Sequence, residues 1–313
     1  QQNPKVYGGS LVIPSVADWD GDGKLDIIAG NSMGFFFLYK NTGTNQMPIY
    51  GEPEPLVADG KVIHVQPGYR EDIQGPGEAR WGYTSPNVVD WDGDGLLDLV
   101  TGDSRGKFMV YLNIGTKTHP KLDREHTLYL DGMDMYGTWR TRPGVAKLGD
   151  RMAYITLDKD DEFHLYWQLD KYNLEDGGKL KMGEQNIRGN ALGGGTVGRA
   201  KFEIVDWDGD GVKDLLVGTY GKQSIPDTVR GLPVKMKPKR GSTILFMKNV
   251  GTDVKPNFEF PKVLKFKGQN ISLGGHEIGG CVAAIGQAKN PMNLIVGIET
   301  GVFMFYDKKD LSW

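Results

Sequence analysis

The segment VVDWDGDGLLDLV, Val88–Val100, places three carboxylates within five residues in the middle of a run that otherwise reads as a β-strand. Asp90, Asp92 and Asp94 repel one another at that spacing unless a cation lies between them. The block recurs as VADWDGDGKLDIIAG (Val16–Gly30) and IVDWDGDGVKDLLVG (Ile204–Gly218). In all three copies side-chain oxygens fall at loop positions 1, 3, 5 and 9, a backbone carbonyl at 7, and glycine at 6, where the chain turns sharply. The expected metal ligands are Asp18, Asp20, Asp22, Lys24 and Asp26; Asp90, Asp92, Asp94, Leu96 and Asp98; and Asp206, Asp208, Asp210, Val212 and Asp214, with Lys24, Leu96 and Val212 contributing only main-chain oxygen. Such sites suit Ca²⁺, a hard cation with many oxygen ligands, and the lack of sulfur or imidazole ligands argues against zinc.

Position 12, a bidentate Glu in a helical calcium hand, is Ala29, Thr101 or Val217, and each loop runs into an apolar β segment. These are therefore calcium loops between two strands. Each is followed by a second apolar strand and a shared turn: GFFFLYKNTGT (Gly34–Thr44), GKFMVYLNIGT (Gly106–Thr116) and STILFMKNVGT (Ser242–Thr252). A looser, proline-led outer strand comes next, which makes a four-stranded antiparallel blade.

Two further units keep the strand rhythm without the aspartates. In Pro143–Leu169 the loop shrinks to Leu148-Gly149-Asp150, and in Gly279–Tyr306 it becomes Gln287–Asn290. Units recur every roughly 60–75 residues, further apart than the ~40–50 of common propeller repeats. The expected fold is all-β: one β-propeller domain over 1–313, with five countable blades near 11–64, 84–131, 142–187, 200–267 and 278–313. Segment 4–9 is expected to close the ring as an outer strand; part of a seven-bladed ring is the alternative.

The DWDGDGxxDLLVG…Y.N.GT units resemble the FG-GAP/VCBS repeat family, and the resemblance spans essentially the whole chain. It implies a propeller whose aspartate loops hold calcium, as in integrin α-subunits, certain fungal lectins and several polysaccharide lyases. It carries onto the twelve loop aspartates and leaves the third and fifth units without calcium. Adhesion, sugar binding and catalysis all occur on this blade, so function has to be read from the site.

The 313 residues include 45 glycines, 16 prolines and a single cysteine, Cys281, which excludes an intramolecular disulfide framework. No apolar run reaches membrane-spanning length and no leader-like segment opens the chain, so no membrane span is expected. Loops of this kind fill reliably where calcium is abundant, so the expected location is extracytoplasmic: secreted, periplasmic or at the cell surface. The formal charge is −3, to which the loop aspartates contribute −12, leaving +9 on the rest of the chain. The one dense basic run, Val234–Gly241, has no helical or aromatic pattern of a nucleic-acid site, and no nucleic-acid partner is expected.

The calcium loops leave little room for a substrate, which directs attention to the opposite face, where the blade-to-blade connections lie. Arg70, Arg80, Trp81, Trp139, Arg142, Arg199 and Glu277 fall in these connections and are the candidate ligand-binding residues. Arginine forks grip carboxylate or sulfate and flat rings stack on sugars, so the expected partner is an acidic glycan or polysaccharide, with a protein partner as an alternative. Polysaccharide lyase chemistry would call on His276, Tyr83 and Arg140 as base, acid and carboxylate neutraliser. A protein-adhesion or scaffold role is the third reading.

Overall fold

A computed structural model describes residues 6–71, 76–189, 198–220, 222–223, 239–286 and 292–313. Part of the expected closing strand (4–5), the blade-five loop residues 287–290 and most of the basic run lie outside the described residues.

The strand rhythm resolves into five antiparallel sheets. Blade 1 pairs Ile13–Ala17, Asp26–Gly30, Phe36–Tyr39 and Glu54–Pro55 in that order. Blade 2 uses Ser85–Val89, Asp98–Gly102, Phe108–Tyr111 and His126–Thr127. Blade 3 is built from the longer strands Gly144–Leu148, Arg151–Leu157, Phe163–Gln168 and Asn173–Lys179. Blade 4 comprises Lys201–Val205, Asp214–Gly218, Ile244–Met247 and Lys262–Val263. Blade 5 has three strands, Gly279–Ala283, Asn293–Gly297 and Phe303–Tyr306. The first strands touch one another in cyclic order, from blade 1 through blade 5 and back to blade 1, so they line an axis and the ring closes at five. The protein is a β-propeller.

Second strands are buried on both faces, which accounts for their continuous apolar runs: DIIAG, DLVTG, DLLVG and NLIVG are buried at every position. Their closing glycine has a packing role. A Cβ on Gly30, Gly102, Gly218 or Gly297 would lie 2.1–2.4 Å from the carbonyl oxygen of Thr84, Thr141, Ile278 or Val12, the backbone leading into the next blade. Only glycine allows that approach, and the contact from Gly297 to Val12 joins blade 5 to blade 1.

Beyond each outer strand the chain makes a small hairpin that reaches forward. Ala58 bridges Leu122 of blade 2, Tyr129–Leu130 pairs with Asn173–Leu174 of blade 3, and Lys181 bridges Asn257 of blade 4. Lys265–Phe266 pairs with Leu311–Ser312, so the last strand of the chain completes the blade 4 hairpin and not blade 5. Blade 5 meets the N-terminal segment where Tyr7 bridges Val302 and Gly8 N–H donates to Gly301 O at 2.8 Å.

Candidate functional site

The two ends of the ring carry different chemistry. At one end, each DWDGDG loop holds two glycines in left-handed conformations: Gly21 and Gly23 at φ 68° and 84°, Gly93 and Gly95 at 77° and 89°, and Gly209 and Gly211 at 83° and 92°. The turn brings three carboxylates together in each loop, with candidate ligand atoms within 4.8 Å of one another: Asp18, Asp20 and Asp22; Asp90, Asp92 and Asp94; Asp206, Asp208 and Asp210. One oxygen of the first aspartate accepts the N–H of Gly23, Gly95 or Gly211 at 3.1 Å in each loop. One oxygen of the third accepts the N–H of Lys24, Leu96 or Val212 at 2.9 Å. In blades 1 and 2, Asp18 Oδ1, Asp20 Oδ1 and Asp90 Oδ1 are buried without a hydrogen-bond donor, whereas in blade 4 the second oxygen of Asp206 accepts Gly209 N–H at 2.9 Å. This donor set fits a hard divalent ion. Each loop also draws in an ammonium, from Lys40 on Asp20, Lys171 on Asp92 and Lys248 on Asp208 and Asp210, as uncompensated carboxylates do.

The fourth aspartates stand apart from these groups. Asp26, Asp98 and Asp214 are 0–1 % exposed, and each clamps two backbone donors. Asp98 accepts Trp91 N–H at 2.8 Å and Asn113 N–H at 2.7 Å, and the pattern repeats with Trp19 and Asn41, and with Trp207 and Asn249. Burial pushes these three carboxyls up to about 6. The asparagines in turn accept two N–H groups apiece from the turn to the outer strand. Loop, second strand and outer strand are thus tied through one carboxylate and one amide. The loop tryptophans pack inside, and the Trp91 indole donates across the blade seam to Lys171 O at 2.8 Å.

At the opposite end the connections converge on the axis. Tyr83, Arg140 and Arg199, on the approaches to blades 2, 3 and 4, are non-glycine residues at φ 45°, 59° and 68°. Leu11 repeats the turn before blade 1 at φ 55°, so the left-handed step belongs to the blade approach, while the side chains at three of the sites are specific to this cluster. Guanidinium groups and rings alternate through it. Arg140 lies 3.4 Å from the centroid of the Tyr83 ring and 4.4 Å from that of Trp139. Arg199 lies 4.8 Å from Trp139 and 4.0 Å from Tyr220, which in turn meets His276 edge-on at 6.0 Å. Glu277 pairs with Arg140 and stands 3.8 Å from His276 Nδ1.

The electrostatics follow from burial and pairing. Burial opposes ionisation of Glu277, but Arg140, His276 and Lys201 outweigh it and hold the carboxyl at about 2. Glu277 raises the pKa of the His276 imidazole, whose side chain is 53 % exposed. Burial pushes Lys201 down to about 7 in spite of Glu277, and its ammonium donates to Arg140 O. Burial also raises the Tyr83 phenol, whose hydroxyl donates to Glu78 at 2.7 Å.

Of the residues expected at a ligand face, Tyr83, Trp139, Arg140, Arg199, His276 and Glu277 come together. Arg70 and Arg80 are exposed, and with half-buried Trp81 they make no ring or ion-pair contact with the cluster among the described residues. Arg142 is used up inside the ring: it donates to Pro86 O, Phe202 O and Gly280 O at 3.0, 2.9 and 3.1 Å and pairs with Glu203 at 2.8 Å. Tyr220 and Lys201 escaped the sequence reading. Lys201 had a signal, because it starts a first strand where the other blades have Ile13, Ser85, Gly144 and Gly279.

No protein-family model matches the chain, and no curated protein matches it. Among solved structures the chain is similar to an Agrocybe aegerita lectin described as specifically recognising non-reducing terminal N-acetylglucosamine, at 12% identity and a TM-score of 0.42, covering 97% of this chain and 66% of that one. It is also similar to an arginine-to-alanine triple mutant of AofleA from Arthrobotrys oligospora, at 11% identity and TM-score 0.47, covering 100% and 88% of the two chains. A third is BBS1N in complex with ARL6DN, at 9% identity and TM-score 0.36, covering 97% and 94%.

Proposed function

We propose that this chain is a calcium-stabilised propeller of the FG-GAP/VCBS kind that binds glycan, an acidic polysaccharide, at the axial end opposite the aspartate loops, in an extracytoplasmic setting. The alternating stack of Tyr83, Arg140, Trp139, Arg199 and Tyr220 carries this reading. Half-buried tyrosines offer ring surface for the C–H face of a sugar, and the arginines offer planar donors to its anionic substituents. Calcium is assigned a structural part: three loops each pin a strand pair and lend no group to the axial cluster.

Titration of uronate and neutral oligosaccharides, after a glycan-array screen, tests the proposal. Tyr220→Ala is expected to weaken binding by about tenfold, the value of one good stacking contact. Absence of binding to every acidic and neutral glycan would reject it.

One observation favours a second reading. His276, Tyr83 and Arg140 share the cluster, as β-elimination from a uronate requires: the arginine neutralises the carboxylate, one group removes the C5 proton and another protonates the leaving oxygen. The raised pKa values of His276 and Tyr83 suit donation better than abstraction. Growth of ultraviolet absorbance on incubation with uronate polysaccharide, lost in His276→Ala, would establish a lyase; a flat trace leaves a binding protein.

A further inference from the structure

We propose that the axial cluster is a receptor for a single oxyanion, a carboxylate or sulfate group, held by the unpaired N–H groups of Trp139, Arg140 and Arg199. The inference deepens the glycan reading by naming the chemical group the site selects. Its first support is an imbalance of donors and acceptors. Among the described residues, Trp139 Nε1, Arg140 Nε and Arg199 Nε are buried with no acceptor. Trp139 and Arg140 are each 2 % exposed, so water does not readily substitute. The three atoms belong to one stack, because both guanidiniums lie over the same indole at 4.4 and 4.8 Å. A buried donor left alone costs about 1–3 kcal/mol, and three in contact mark a place built for a partner.

Charge gives the second support. Arg140 and Lys201 share one buried carboxylate, Glu277, with Arg199 close to both cations and buried Asp161 accepting the neighbouring Gly198 N–H at 3.4 Å, while Arg142 and Glu203 form a closed pair beneath them. Glu78 lies further out, engaged by the Tyr83 hydroxyl. Buried positive charge in excess of its partners is costly and attracts an anion.

The chemistry narrows the ligand further. Three N–H donors around one indole suit a group that only accepts hydrogen bonds, and a planar carboxylate or a sulfate offers several acceptor oxygens at once. A sugar hydroxyl, which must also donate, would meet Glu277 Oε2 as the one unpaired side-chain acceptor of the cluster among the described residues.

The test is titration of the whole chain with sodium sulfate and sodium acetate against sodium chloride at equal ionic strength, read by thermal shift and calorimetry. Sulfate or acetate is expected to bind where chloride does not. Trp139→Phe, which keeps the ring and removes the N–H, is expected to weaken that binding by about tenfold, and Arg199→Gln by more. Sulfate competing with a uronate oligosaccharide would show that the group comes from the glycan. Sulfate binding without any glycan binding would support the oxyanion site and reject the glycan reading. Glycan binding that ignores both sulfate and Trp139→Phe would overturn the oxyanion site and leave the glycan reading standing. Wild-type protein indifferent to sulfate and acetate alike would also overturn it, with no variant needed.

Discussion

Arg140 and Arg142 sit two residues apart in the same connection, both 2 % exposed, yet they hold opposite positions in the molecule. Arg142 turns into the ring, where its guanidinium reaches carbonyls on blades 2, 4 and 5 and the carboxylate of Glu203. Arg140 turns toward the open end, lies over Tyr83 and Trp139, pairs with Glu277 and keeps its Nε without an acceptor. Burial alone therefore does not tell the two arginines apart. The number of hydrogen bonds each satisfies does.

The largest expected effect tests that contrast directly. Arg142→Met leaves Glu203 and three carbonyls without their donor and is expected to cost about 3–5 kcal/mol in urea unfolding. Arg140→Met leaves Glu277, itself 2 % exposed, without its guanidinium partner and is expected to cost a comparable amount, while abolishing the oxyanion binding that Arg142→Met keeps. Loss of oxyanion binding in both folded variants would erase the distinction.

A chelator probes the other end of the ring. Where calcium stands at about a hundred times its dissociation constant, stripping it is expected to remove about 2.7 kcal/mol per site. Hydrogen exchange should quicken at the loops of blades 1, 2 and 4 and stay unchanged at the two-residue turn Gly149-Asp150 of blade 3. Oxyanion affinity of the folded remainder should not move, since among the described residues no aspartate-loop side chain pairs with the axial cluster. Exchange that quickens equally in blade 3 would contradict this division of labour.

The smallest expected effect is a pH slope. Lys201 binds its proton more weakly folded, at about 7, than unfolded near 10.4, so between those values the unfolded chain carries more protons and stability rises with pH. The slope from this group is at most about 1.4 kcal/mol per pH unit. It should vanish in Lys201→Met, and saturating sulfate should flatten it by favouring the ammonium. A wild-type curve that falls over this range, with Lys201→Met unchanged, would count against the buried lysine's role.

Much of the fold was legible because it is local. The aspartate and glycine spacing defines the loop, alternating apolar residues define the strands, and three repeats define the blade. The face that carries the connections followed from strand alternation. The distinctions that matter for the site depend on residues far apart in sequence. Nothing in TWRTRPG tells which arginine finds Phe202 and Gly280 and which finds Glu277. The ninth loop position reads as one more ligand, but Asp98 spans 15 residues to hold Asn113 N–H, a contact that exists only once the third strand returns. The forward-reaching hairpins are two-residue pairings too short to leave a periodic signature.

Those hairpins give the ring a direction. Each of the first four blades hands a clasp to its successor, so four seams are stitched by chain that has just left the preceding sheet. The fifth, between blades 5 and 1, relies on Tyr7, Gly8 and Leu11 against Val302, Gly301 and Glu299, on Gly286 N–H donating to Asn45 O at 2.7 Å, and on walls around an apolar cavity of about 640 Å³. A tether on the N-terminal side loads that seam directly, whereas one on the C-terminal side pulls first on Leu311–Ser312 and the blade 4 hairpin. A crosslink from residue 7 to residue 302 would fasten the one seam that has no clasp of its own.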